Sequence, residues 1–132
     1  MGCFYTECEF QNIVDRAKAV RIDKLLVDTG TEYTWVPASL LYQIDVRREK
    51  KDLQFVMANG AVITRPVGFA IVAVENAFTV DEVVFAEEGD LLLLGARSME
   101  GMNLTVDPRL KKLVAAGPLP AAAANSSGEN GG

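Results

Sequence analysis

Apolar residues recur along this chain in short runs, and where they alternate with polar ones they do so with a period of two. From Gly2 to Gln11, aromatic and polar residues alternate loosely, the spacing of a strand with one covered face. Asn12 to Lys18 is polar and charged, a hairpin connection, and Ala19 to Val27 returns as a second strand that stops at Asp28. A turn and loop over Thr29 to Thr34 leads to Trp35-Val36-Pro37, a short extended piece, because proline fixes its own φ and pushes its predecessor towards the β region. Ala38 to Ile44 fits one or two helical turns, with Ser39 as candidate N-cap. Arg47 to Lys51 is a run of charge and predicts a solvated connection.

The middle of the chain predicts hairpins. Leu53 to Met57 and Ala61 to Thr64 flank Asn59-Gly60, a strong short-range turn signal. Val67 to Val74 and Phe78 to Phe85 flank Glu75-Asn76-Ala77, a second hairpin. Glu87 to Asp90 is an acidic turn before the run Leu91-Leu92-Leu93-Leu94. That run has no alternation, which fits a strand buried on both faces and equally a buried helix segment. Gly95 ends it, and Ala96 to Met102 is compatible with a short helix. Leu104 to Arg109 and Lys112 to Val114 predict a closing strand pair or one bent last strand. Many short strands with closely spaced turns point to a small all-β barrel or sandwich. From Ala115 onward Gly, Pro, Ala, Asn and Ser follow without periodicity, so residues 1–114 are expected to form one domain and 115–132 a disordered tail.

Composition narrows the classes. A length of 132 residues suits one domain with a modest core, and 49% hydrophobic content is that of a globular chain. A net charge of −5 argues against a nucleic-acid partner, whose binding rests on neutralising phosphates. No apolar run approaches the roughly 20 residues of a membrane span and no basic-then-apolar leader opens the chain, so the expectation is a cytoplasmic protein without a membrane partner. Met1-Gly2-Cys3-Phe4-Tyr5-Thr6 matches a myristoylation pattern, but no polybasic patch supplies a second anchor, and strand alternation accounts for the segment more simply. Cys3 and Cys8 lie five apart, on opposite faces of a strand, and read as small apolar residues rather than a disulfide or metal site. The chain contains no His, which removes Ser-His and Cys-His nucleophile chemistry and the commonest metal ligand. Neither metal nor cofactor is expected. A hydrolase built from these residues would have to use carboxylates.

Candidate chemistry therefore centres on Val27-Asp28-Thr29-Gly30. An Asp closing an apolar strand is either a turn residue, with Gly30 supplying positive φ, or a carboxylate held at a strand end for catalysis. Taken with Trp35-Val36-Pro37, Leu94-Gly95-Ala96 and Leu104-Thr105-Val106-Asp107-Pro108, the order and spacing resemble the retropepsin-like aspartic proteases, in particular their small single-domain bacterial members. The likeness spans roughly residues 2 to 114. Thr31 departs from the pattern, since such proteins usually carry Ala or Ser after the Gly.

The resemblance implies a mainly β, small closed acid-protease-like barrel with one or two short helices. It implies an aspartic peptidase acting on an extended peptide, without metal or cofactor. Asp28 would be the catalytic acid/base, Thr29 would brace the dyad, and Gly30 would admit substrate backbone. Met57, Ala58, Asn59 and Gly60 would form a flap, with Leu94 and Gly95 supporting the Asp28 loop from behind. Because the chain holds a single Asp-Thr-Gly, two carboxylates require a homodimer, with Gly2 to Phe10 and Leu104 to Val114 as candidate interface. Trp35 reads as core, and Asp107-Pro108 as turn chemistry. Two other readings remain open: an inactive protease-like dimeric binding module, and an unrelated small β-barrel that binds a ligand.

Overall fold

The structure is a computed structural model and describes residues 4–122. Strands β1 (Phe4–Gln11), β2 (Ala19–Val27), β3 (Thr34–Pro37), β4 (Lys50–Val56), β5 (Val62–Val74), β6 (Ala77–Ala86) and β7 (Leu93–Leu94) form one sheet in the order β1-β2-β7-β3-β6-β5-β4. A further antiparallel pairing of Glu9–Gln11 with Ile71–Ala73 joins β1 to β5, so six strands close into a ring with β4 appended. Helices α1 (Ala38–Gln43) and α2 (Ala96–Gly101) follow β3 and β7, and β8 (Leu104–Asp107) pairs with β9 (Lys112–Ala115) as a separate two-stranded sheet. The fold is mainly β, a small barrel-like ring with two short helices.

Burial explains the ring. Phe10, Leu25, Val36, Leu41, Val72, Val83, Phe85 and Leu94 meet inside it, all withdrawn from solvent. A second cluster lies on the other face, where Trp35, Val67, Val84, Ala86 and Leu93 are covered by Leu53, Phe55 and Ile63 of the β4–β5 hairpin. Buried from both sides, β3 and the C-terminal half of β6 carry continuous apolar runs, as strands covered on both faces do. Cys8 sits in the barrel core, and burial pushes its thiol up to about 12. Cys3 lies outside the described residues, as do Gly2 and the rest of the myristoylation pattern's first three positions.

β5 is one strand of 13 residues, where the sequence predicts two separated by Arg65-Pro66. Pro66 has no N–H to give, and the sheet absorbs this with an irregularity: β4 shifts register between Lys50 and Leu53, opposite Val67 and Arg65. Gly68 is needed for a different reason. A Cβ there would press into the backbone carbonyl of Arg47, which crosses directly above. The β5–β6 turn holds two residues, Glu75 and Asn76, with Val74 pairing Ala77 and Glu75 at a φ of 52°.

Four other expectations need correction. The run Leu91–Leu94 is strand only at Leu93–Leu94, because the ring accommodates just two residues beside β2 and β3; Leu91 is 69% exposed. Ser39 does not cap α1, which begins after Pro37 with no side-chain cap. The charged run 47–51 is not wholly a solvated connection, since β4 starts at Lys50, whose Nζ donates to Glu82 Oε1 at 2.7 Å. Ala115 belongs to β9 rather than to a tail, and Ala116 N–H and Gly117 C=O are both hydrogen-bonded to Asn103. Residues 123–132 lie outside the described residues. Asp107 acts as turn chemistry, its Oδ1 accepting the amides of Arg109 and Leu110.

Candidate active site

β2 runs parallel to β7, Leu26 opposite Leu93 and Val27 opposite Leu94, and ends at Val27, immediately before Asp28. The amide of Asp28 donates to Leu94 C=O at 3.1 Å, which ties the first residue after β2 to the last residue of β7. Its carboxylate is fixed from its own loop. Gly30 N–H donates to Oδ1 and the Thr31 hydroxyl to Oδ2, both at 2.9 Å. Gly30 is not at positive φ, so the glycine of an ordinary left-handed turn is absent here. Its lack of a side chain matters because a Cβ would stand 3.3 Å from Asp28 Oδ1. Thr31, the residue that departs from the family pattern, proves to hold the carboxylate directly.

The loop is strapped to α2. Ala96 N–H donates to Thr31 C=O at 2.7 Å and Arg97 N–H to Glu32 C=O at 3.1 Å. Gly95 lies so close beneath that a Cβ would collide with the carbonyl oxygens of Tyr33 and Glu32. Leu94, fully buried, and Gly95 thus pack directly behind the Asp28 loop. Thr29 is exposed, and its hydroxyl has no hydrogen bond among the described residues.

Asp28 opens onto a groove of about 560 Å³, which Gly30, Thr31, Trp35, Phe55, Met57 and Ala58 line with it. Of the four flap candidates the structure brings Met57 and Ala58 to this groove, while Asn59 and Gly60 form the tip of the loop beyond. That loop spans Met57 to Ala61. Met57 N–H donates to Ala61 C=O at 2.7 Å, Asn59 Oδ1 accepts Ala61 N–H, and Gly60 takes a φ of 87°. Trp35 is both core and groove wall: it is 6% exposed, and Phe55 packs on it with ring centroids 5.0 Å apart. Tyr33 meets the same Phe55 edge-on at 5.4 Å, and such pairs contribute about 0.5–1.5 kcal/mol each beyond area burial.

Carboxylates dominate the groove's charge, from Asp28, Glu32 and Asp90. Asp90 is engaged by Arg65 on β5 through a two-pronged contact, Nε to Oδ2 at 2.7 Å and Nη2 to Oδ1 at 2.9 Å. The Arg65 guanidinium holds the Asp90 carboxyl below its usual range. Behind the groove Glu82 receives Lys50 and Arg97 together, and Lys50 chiefly holds its carboxyl low; Arg97 in turn lies over the Tyr33 ring at 4.8 Å. Sequence reasoning missed Thr31, Tyr33, Phe55, Leu91 and Asp90 as groove residues. Among the described residues, no three His, Cys, Asp or Glu side chains stand together as a metal site would need, and no helix is long and apolar enough to cross a membrane.

No protein-family model matches the chain, and none of the curated proteins matches it. The case for a function therefore rests on the residues themselves.

Proposed function

We propose that the protein is an aspartic peptidase of the retropepsin-like kind. Asp28 of each subunit in a cytoplasmic homodimer would activate water against an extended peptide. One observation carries the reading: a strand-end carboxylate, oriented on both oxygens by its own loop, faces a groove whose far side is a hairpin loop. An Asp in an ordinary turn has no need of such a groove. Each oxygen of the carboxylate keeps a further lone pair after accepting from Gly30 or Thr31. A second Asp28 can share a proton there.

Two carboxylates about 3 Å apart do not ionise together, and their coupling is about 4 kcal/mol. The ionised one takes a proton from water as its oxygen attacks the peptide carbonyl. The protonated one gives its proton to the carbonyl oxygen, and collapse of the tetrahedral intermediate then breaks the C–N bond with protonation of the leaving amine. The exposed Thr29 hydroxyl would bond across the two-fold axis, and Met57 and Ala58 would close over the substrate. The apparent acid and base constants of such a centre belong to the pair.

The test couples assembly to chemistry. Association is measured against concentration, and binding of a pepstatin-type inhibitor and peptide turnover are measured at acidic pH, for wild type and Asp28→Asn. A concentration-dependent dimer whose turnover falls at least a hundredfold in the variant, with fold retained, is the expected result. A folded dimer without turnover or inhibitor binding would make the protein a binding module. A monomer at high micromolar concentration, indifferent to the substitution, would return Asp28 to a structural role.

A further inference from the structure

Behind the Asp28 loop runs a chain of polar groups that ends on a carboxylate of another strand. Thr34 on β3 and Ser98 on α2 are both fully buried, and their hydroxyl oxygens lie 2.7 Å apart. Thr34 Oγ1 accepts Gly95 N–H at 2.9 Å, and Ser98 Oγ donates to Asp81 Oδ2 at 2.8 Å. Asp81, on β6, accepts Glu82 N–H on its other oxygen at 2.7 Å. A hydroxyl has one proton. Ser98 directs its own to Asp81, so Thr34 must donate to Ser98, which leaves a Thr34 lone pair for the Gly95 amide. The direction of every bond follows from the acceptor-only carboxylate at the end.

The chain terminates on one particular peptide unit. Leu94 C=O and Gly95 N–H belong to the same planar group and point opposite ways. The carbonyl receives Asp28 N–H, and the amide gives to Thr34. The peptide plane is therefore gripped between the candidate catalytic residue on one side and the buried hydroxyls on the other. Asp81 does not line the groove.

We infer that Asp81 is a positioning residue for Asp28, acting through Ser98, Thr34 and the Leu94–Gly95 peptide. The inference rests on Asp28 being the catalytic carboxylate, but its structural part stands apart from turnover. Asn at position 81 has the same shape and only one acceptor oxygen. With that oxygen kept on Glu82 N–H, the NH2 faces Ser98, whose hydroxyl must then turn to Thr34. Thr34, already accepting Gly95 N–H, is left with a buried proton and no acceptor in the chain. With the oxygen on Ser98 instead, the NH2 faces Glu82 N–H, donor to donor. Removing a buried hydrogen-bond partner leaves the other unsatisfied, and here the mismatch passes along the chain to Gly95.

The experiment follows the backbone amides of Gly95 and Asp28 by hydrogen exchange in the full chain, alongside peptide turnover, for Asp81→Asn, Ser98→Ala, Thr34→Val and Thr34→Ser. Protection at both amides should fall tenfold or more in the first three variants and be retained in Thr34→Ser, which keeps the hydroxyl. The kcat for peptide should fall with it, and KM should stay within twofold, because no groove residue changes. Unchanged protection at Gly95 and Asp28 in folded Asp81→Asn and Ser98→Ala would overturn the inference, as would a loss expressed in KM alone. If Asp81→Asn does not fold, Ser98→Ala and the Thr34 pair decide the matter by the same criterion. Lost protection at both amides in a protein whose wild type hydrolyses no peptide would uphold the positioning chain and overturn the peptidase reading alone.

Discussion

At the scale of single residues, the Asp28 loop is shaped by what is missing as much as by what is present. Gly30 and Gly95 serve contact rather than backbone freedom: each lacks a Cβ where one would meet Asp28 Oδ1 or the carbonyls of Tyr33 and Glu32. Gly95→Ala therefore forces the loop away from α2 and should cost about 1–3 kcal/mol of stability, with the larger effect on any Asp28-dependent activity. Chemical denaturation beside the turnover assay checks both. A Gly95→Ala protein as stable and as active as wild type would contradict the close packing. Thr31 illustrates a limit of reading residues by pattern. Family likeness marks it as a departure, whereas its hydroxyl is one of the two donors that orient the carboxylate.

Elements were legible where periodicity was local. The strand Ala19–Val27 and the short helices were readable from alternation, proline and glycine placement alone. Less could be read where the partner was distant. Whether Leu91 and Leu92 continue a strand depends on how many residues β2 and β3 leave for β7, and nothing in the run itself records that. The Arg65-Pro66 break was a fair local signal that the sheet overrides with an irregularity in β4. One element-level contact invites a test: Arg65 on β5 grips Asp90 in the acidic turn before β7, both side chains largely covered. Asp90's carboxyl is held low in the fold, so its contribution to stability is present above the ordinary carboxylate range and is lost as pH falls through the lowered value. Arg65→Ala should cost about 1.5–3 kcal/mol at pH 7 and much less once the pH has fallen through the lowered Asp90 value, where the carboxyl is protonated in either protein. Urea titrations across that range read the difference directly; an equal loss at both ends would exclude the ion pair as its source.

For the whole molecule, the ring is closed by contacts far apart in sequence: β1 with β5, and the parallel pairs β2 with β7 and β3 with β6. Composition and turn spacing indicate a small β barrel, but they do not encode which strands neighbour which. The candidate site could be nominated only in part. Asp28, the hairpin loop and Leu94-Gly95 were nominated through the resemblance to the retropepsin-like proteases, while Thr34, Ser98 and Asp81 become a unit only when residues 64 apart meet. The pairing of β5 adds a prediction of its own. One of its edges is shared, first by β4 along Val62–Val67 and then by β1 along Ile71–Ala73, while β6 follows the other edge from Val67 to Val74. Amides of residues 69 to 74 should exchange only with global unfolding, and those of 57 to 61 many orders faster. Uniform exchange along the hairpin would count against this division.

The hairpin loop over residues 57–61 is the continuation of a barrel stave and cannot swing from its root. To lift β5 as a whole, the molecule would have to part its own wall, so motion is confined to the few residues beyond Val56 and Val62. An aperture worked by so short a tip would, on the peptidase reading, admit a threadlike guest and turn away a folded one. On the peptidase reading, selection among targets would then begin with their looseness, before any side chain is recognised.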